Sequence, residues 1–216
     1  MAGLLRTQDT GVVGRALVIS DGCVGGLLAT AIATEETVRR ENLRRVGAPL
    51  VWSAWAEEIP PAARDAAVRR QAEAMGAEVV EAESPRRAAS ESVGAWWNSV
   101  LLRAGSIALS AGCRRVVWPV QFQGPGGDEP APLGVIAEAA SRAVLVSRLV
   151  SLEAERAGMP ELAIETPFLD LSDAQIGELC CEMGLRLEDC WWWPDSVTPA
   201  ANRARARWGA ALAGVV

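Results

Sequence analysis

Residues Arg15 to Gly26 read RALVISDGCVGG, and LLATAIAT follows at once. A short apolar run with β-branched residues, a glycine-punctuated turn and then an apolar pattern at helical spacing spell strand, tight turn, helix. The unit recurs along the chain. Pro49 to Trp55 (PLVWSAW) predicts a second strand, and Pro61 suits the first turn of a helix that runs to Met75 and is closed by Gly76. Ala77 to Ala82 predicts a third strand. Gly94 to Gly112 carries Val100, Leu101, Ala104, Ala108 and Leu109 at helical spacing, and Arg115 to Gln121 predicts the fourth strand. A long helix from Leu133 to about Ala157 leads to a fifth strand, Leu162 to Pro167. Ser172 then caps a helix to Met183, with Asp173 in its first turn favouring the amino end. Strands alternating with helices predict one α/β domain over residues 1–216, a doubly wound, five-stranded parallel sheet of Rossmann-like type, covered on both faces.

The chain contains no lysine, histidine or tyrosine, and all 21 basic side chains are arginine. A Walker-type phosphate loop needs its lysine, a Ser/His/Asp hydrolase its imidazole and a Schiff-base enzyme its amine, so all three are excluded. A net charge of −6 argues against a broad nucleic-acid surface. Most of the arginine pairs, such as 39/40, 44/45, 69/70, 86/87 and 114/115, read as solvated helix faces or strand edges. No apolar run reaches bilayer-spanning length and Met1 to Thr10 lacks a signal-peptide stretch, which gives the expectation of a cytoplasmic protein without a membrane partner. Cys23, Cys113, Cys180, Cys181 and Cys190 read as buried thiols; with neither CxxC nor histidine present, zinc is not expected.

In an open α/β sheet the ligand crevice lies beyond the carboxyl ends of the strands, here where the first and fourth strands diverge. Two loops are expected to meet there, Ser20 to Gly26 and Phe122 to Pro132. The glycines of the first allow backbone amides to approach an anion at a helix amino end, or they serve only to make the turn tight. Cys23 is either a thiolate stabilised at that helix end or a small apolar filler.

The opening strand and loop resemble the PP-loop of ATP pyrophosphatases, where a strand runs into Ser, Gly, Gly, any residue, Asp, Ser. ETPFLDLSDAQIGELCCEMGLRLEDCWWW resembles the late segment of one branch, the 7-cyano-7-deazaguanine synthases of queuosine biosynthesis. WWNSVLLRAGSIALSAGCRRVVWPV resembles that branch's helix and strand after its Arg-Asn pair. The matches run in order along nearly the whole chain. The resemblance implies an adenine nucleotide alpha hydrolase-like fold and an ATP- and magnesium-dependent ligase that activates a carboxylate as its adenylate, with a cysteine-bound structural zinc.

Carried over residue by residue, the motifs are degenerate. The loop keeps Ser20 and Gly22 but has Asp21 for the first glycine, Val24 for the aspartate and Gly25 for the serine. Asn98 matches the pair's asparagine, with Trp97 in place of its arginine. Pro167, Asp170, Leu171 and Ser172 match the late motif, but Asp173 stands for its lysine and Gln175 for its glutamate. Exchanging lysine for aspartate swaps attraction of a phosphate for repulsion, on the order of several kcal/mol each way at an effective dielectric of about 20. By the same resemblance residues 190–216 are the remnant of the zinc segment, with no cysteine after Trp193, so the helix from Pro199 is expected to rest on packing of Trp208, Ala211 and Leu212 alone. The nucleotide-contacting candidates implied by the resemblance are Ser20, Asp21, Gly22, Cys23, Gly25, Gly26, Asn98 and Asp170; no catalytic residue is assigned.

Trp191, Trp192 and Trp193 in succession cannot all face one core, so they are expected to cover the surface left by the lost zinc module as a homodimer or protein interface, with a base-stacking platform as the other reading. Trp96 and Trp97 begin a helix and are expected to close the crevice. Two functions follow. One is a non-catalytic nucleotide- or partner-binding protein, a pseudoenzyme of the family. The other is an active ligase of the queuosine or a related 7-deazapurine pathway, in which Asp21, Asp128, Glu129 and Asp170 hold magnesium and arginines replace lysine as the phosphate clamp.

Overall fold

The computed structural model describes residues 14–41, 47–54, 59–122, 131–156, 158–193 and 198–213. Five strands form one sheet: β1 (Ala16–Ser20), β2 (Leu50–Ser53), β3 (Glu78–Val80), β4 (Arg115–Val117) and β5 (Ala163–Glu165). Their order across the sheet is β3-β2-β1-β4-β5 and every neighbouring pair is parallel. The central strand β1 is buried throughout, as a strand covered on both faces must be. Chain direction reverses its winding between β1 and β4, which puts the switch point where the sequence placed it.

Six helices flank the sheet: α1 (Val24–Glu41), α2 (Pro61–Met75), α3 (Val93–Ser110), α4 (Leu133–Arg156), α5 (Asp173–Glu182) and α6 (Pro199–Ala213). The alternation of side chains along β1 divides the core in two. Leu17 and Ile19 pack with α3 and α4, whereas Ala16 and Val18 pack with α1, α5, Trp191 and Trp192, and with Ala201 and Trp208 of α6. A smaller cluster joins Val51 of β2 to Val68 and Ala72 of α2.

The local signals act as expected at several ends. Pro61 sits in the first turn of α2, and Gly76 ends it at φ +67°, a left-handed conformation that closes the last turn with Ala77 N–H on the Ala72 carbonyl at 2.8 Å. Ser172 forms a reciprocal cap with Gln175: each side chain takes the other residue's amide, at 3.2 and 2.8 Å. Gln175 therefore works as a helix cap. Strand β4 ends at Val117, short of the expected Gln121, because Pro119 carries no N–H for the ladder. The last strand bond is Trp118 N–H to the Glu165 carbonyl at 2.8 Å. Helix α3 begins one residue earlier than expected because Ser92 caps it through Ala95 N–H.

The arginine reading needs correcting at Arg115. This side chain is 7% exposed and is ion-paired with Glu36 of α1 and with Glu165 of β5, so it ties a helix and an edge strand to β4 instead of meeting solvent. The pair 44/45 lies outside the described residues. Among the described residues no helix is long and apolar enough to cross a membrane.

Candidate functional site at the carboxyl edge of the sheet

The glycine loop leaves β1 at Ser20, which is buried, and turns at Gly22 with φ +75°. Its amides are occupied from within. Gly22 N–H donates to Ser20 Oγ at 3.1 Å and Cys23 N–H donates to Asp21 Oδ1 at 2.9 Å. The loop's own hydroxyl and carboxylate thus stand where a bound anion would collect those donors. Burial raises the Asp21 carboxyl above the ordinary aspartate range, against the opposing pull of the Cys23 amide and, more weakly, of Arg207.

The glycines next in line follow the packing alternative. A Cβ on Gly26 would lie 2.3 Å from Ser20 Oγ, and one on Gly25 would lie 3.1 Å from the Pro119 carbonyl, so both let α1 start hard against the sheet. On its other side the loop is held by two residues distant in sequence. The Gly22 carbonyl accepts from Gln71 Nε2 of α2 and from Trp191 N–H, both at 3.0 Å. Gln71 Nε2 also reaches the Asp189 carbonyl at 3.3 Å, so one buried amide joins the loop to the segment before α6.

Cys23 takes its filler reading. Its Sγ lies 3.0 Å from Trp191 Nε1, and burial with the neighbouring Asp21 and Cys190 pushes the thiol well above its usual range, so no thiolate is stabilised there.

Beside this loop lies a polar cluster that no sequence motif announced. Asp173, 6% exposed at the start of α5, takes Arg207 Nε and Nη2 of α6, each at 2.7 Å, and Gln121 Nε2 at 2.9 Å. Gln121 Nε2 also donates to the Leu171 carbonyl at 2.9 Å, while its Oε1 accepts from Arg207 Nη2 at 2.9 Å. The expected repulsion at Asp173 is therefore cancelled locally by an arginine that α6 supplies. This also corrects the expectation that packing alone holds α6. Trp208 and Ala201 are buried as packing requires, but the Asp173–Arg207 pair and Arg205 Nε on the Trp192 carbonyl at 3.0 Å anchor the helix as well. The side chain of Leu212 lies outside the described residues.

Two candidates do not join the loop. Asp170 is exposed between β5 and α5. Asn98 is exposed on α3, on the opposite face of the sheet from α1, where its Oδ1 accepts from Arg142 of α4. Residues 123–130, with Asp128 and Glu129, lie outside the described residues. Trp96 and Trp97 are both buried: Trp97 lies tilted against Trp118 with ring centroids 4.8 Å apart, and Trp96 lines the neighbouring cleft over β2 and β3.

A second concavity opens over the carboxyl ends of β2 and β3. This cleft of about 1190 Å³ is lined by Arg64, Arg69, Arg86, Arg87 and Arg103 against Asp65, Glu81 and Glu83. Its wall is the segment after β3, held by two indoles: Trp52 Nε1 donates to the Ala82 carbonyl at 3.0 Å and Trp96 Nε1 to the Pro85 carbonyl at 2.9 Å. Arg64 pairs with Asp65 at 3.0 Å and Arg69 with Glu81 at 2.9 Å, and over the whole lining five guanidinium groups stand against three carboxylates. The sequence showed the arginines but not their convergence from α2, α3 and the β3 loop.

The fold and these two sites define a doubly wound α/β protein whose switch-point loop is closed on itself and whose neighbouring cleft is cationic. No protein-family model matches the chain. No curated protein matches it either. Among solved structures the chain is similar to the U34-tRNA thiolase NcsA from Methanococcus maripaludis with its [4Fe-4S] cluster, at 10% identity and a TM-score of 0.46, over 94% of this chain and 70% of that one. Among the described residues no group of three or more cysteine, aspartate or glutamate side chains is placed to hold a metal ion.

Proposed function

We propose that this chain is a non-catalytic binding protein on a PP-loop-type fold, a degenerate relative of the 7-cyano-7-deazaguanine synthases, and that it takes a nucleotide-class anion in the arginine-lined cleft and not in its glycine loop. The observation that carries the reading is the self-closure of the loop: Ser20 Oγ and Asp21 Oδ1 hold the amides of Gly22 and Cys23. A triphosphate there would have to displace both side chains and sit against a carboxyl group. The residues present do not fit ATP and magnesium at the loop in the family's manner. The cleft offers the complementary chemistry, with planar guanidinium groups suited to phosphate oxygens and an apolar wall at Trp96.

Isothermal titration with ATP and with inorganic pyrophosphate, each with and without magnesium, tests this on the wild type, on Arg86→Glu/Arg103→Glu and on Asp21→Asn. The expected result is salt-sensitive binding that weakens at least tenfold in the double arginine variant and is unchanged in Asp21→Asn. Binding that follows Asp21 and not the arginines, or steady pyrophosphate release with a carboxylate substrate, overturns the proposal in favour of the active-ligase reading.

A further inference from the structure

Helix α4 is apolar on two sides. Ala139, Ala143, Val146, Val150 and Ala154 form the stripe that packs inward. A second stripe faces away from the core: Leu145, Leu149 and Leu152 are 69%, 52% and 56% exposed. Three leucines so exposed on one helix form a contiguous apolar patch of the kind that marks an interaction surface. Beside them, α3 and α4 enclose a groove of about 430 Å³ that Leu102 of α3 also lines.

The ends of this stripe say what covers it. Reading at alternating steps of four and three residues, the same line on the helix is Glu138, Arg142, Leu145, Leu149, Leu152, Arg156. It spans about 27 Å at 1.5 Å per residue, with an acid at one end, a base at the other, and Arg142 and three leucines between. A second α4 laid antiparallel about a two-fold axis at position 147 sets Leu145 against Leu149 and Glu138 against Arg156, twice over. Arg142 stays out of the seam: its side chain is only 14% exposed and is held against α3 by the Gly94 carbonyl and Asn98 Oδ1. A surface that is complementary to its own inverted copy meets the requirement of an isologous interface. Glu138 is available at the stripe's end, with a side chain 68% exposed although paired with Arg142 at 2.5 Å, and Arg156 is 80% exposed.

We infer that this chain forms a two-fold homodimer through antiparallel α4 helices, with leucines at the centre and a Glu138–Arg156 ion pair at each end. This relocates the dimer surface expected at the three tryptophans. Trp191 and Trp192 are 4% and 2% exposed within the chain's own core, which leaves Trp193 as the one with substantial surface.

Sedimentation velocity on the full chain and its variants is the test. The wild type is expected to sediment as a dimer, and Leu145→Glu/Leu149→Glu as a folded monomer with unchanged far-ultraviolet circular dichroism. Glu138→Arg and Arg156→Glu each place like charges at both ends, and each is expected to raise the dimer dissociation constant roughly tenfold. Mixing these two single variants restores both ion pairs between unlike chains, so the mixture is expected to recover wild-type association. A wild type that stays monomeric at high concentration overturns the inference. So does a dimer that survives the leucine double variant but dissociates in Trp193→Ser, and so does a mixture that associates no better than its components.

Discussion

Replacing Asp173 by alanine removes the carboxylate on which Arg207 and Gln121 converge. Three charge-assisted hydrogen bonds are lost, at 2.7, 2.7 and 2.9 Å. Bonds to a charged group contribute about 1.5 to 3 kcal/mol each at most, and breaking a buried pair costs about 3 to 5 kcal/mol when the survivor is trapped. Here the survivor is not trapped, because the Arg207 side chain is 38% exposed and can turn toward water. That discount leaves a net loss of about 2 to 3 kcal/mol. For a chain of this length the midpoint of thermal unfolding should fall by roughly 4 to 12 °C. A double-mutant cycle with Arg207→Met isolates the pair, and its coupling should be about 1 to 2 kcal/mol. Amide exchange should speed up in α6 before the rest of the sheet in either single variant, because the pair is what joins α6 to the start of α5. A coupling below about 0.5 kcal/mol, with α6 exchange unchanged, would show that packing of Trp208 and Ala201 suffices and that the ion pair is incidental.

The remaining predictions concern buried acids and thiols. The Asp21 carboxyl is raised by burial in the folded chain, so its ionisation opposes folding: the cost sets in above the unfolded aspartate value near 3.8 and is complete above the folded one. Asp21→Asn keeps an acceptor for Cys23 N–H, so it should stabilise the protein at neutral pH, with the gain shrinking to nothing as urea-unfolding midpoints are followed into acid. Burial pushes Cys113 up to about 11 and Cys180 up to about 12, and holds Cys23 and Cys190 well above the usual thiol range, whereas Cys181 is exposed. Titration of the native protein at pH 8 with an aromatic disulfide reagent should therefore show one fast thiol, and the full five only after unfolding.

The succession of strands and helices along the chain could be read from it because each element rests on local chemistry, and their alternation in turn implies a parallel sheet. β-Branched runs bounded by glycine and proline, Pro61 and Gly76 at the ends of α2 and Ser172 before α5 all fix backbone geometry within a few residues. The glycine loop was found for the same reason. Its state was not, because whether Ser20 and Asp21 point at a ligand or at the loop's own amides depends on what packs behind them, and Gln71 and Trp191 arrive there from 49 and 169 positions further along. The same holds for Asp173, whose meaning as a misplaced acid or half of an ion pair turns on where α6 lays Arg207. The arginine cleft collects side chains from α2, the loop after β3 and α3, which follow one another in the chain but are turned toward one cleft only by the way the helices pack on the sheet. The leucine stripe of α4 was present in the sequence at helical spacing, but only the packing of the opposite stripe on the sheet shows that these leucines face outward. Short-range geometry is written in neighbouring residues; the direction and partner of a side chain are set by burial and charge contributed from far along the chain, and those exist only after folding.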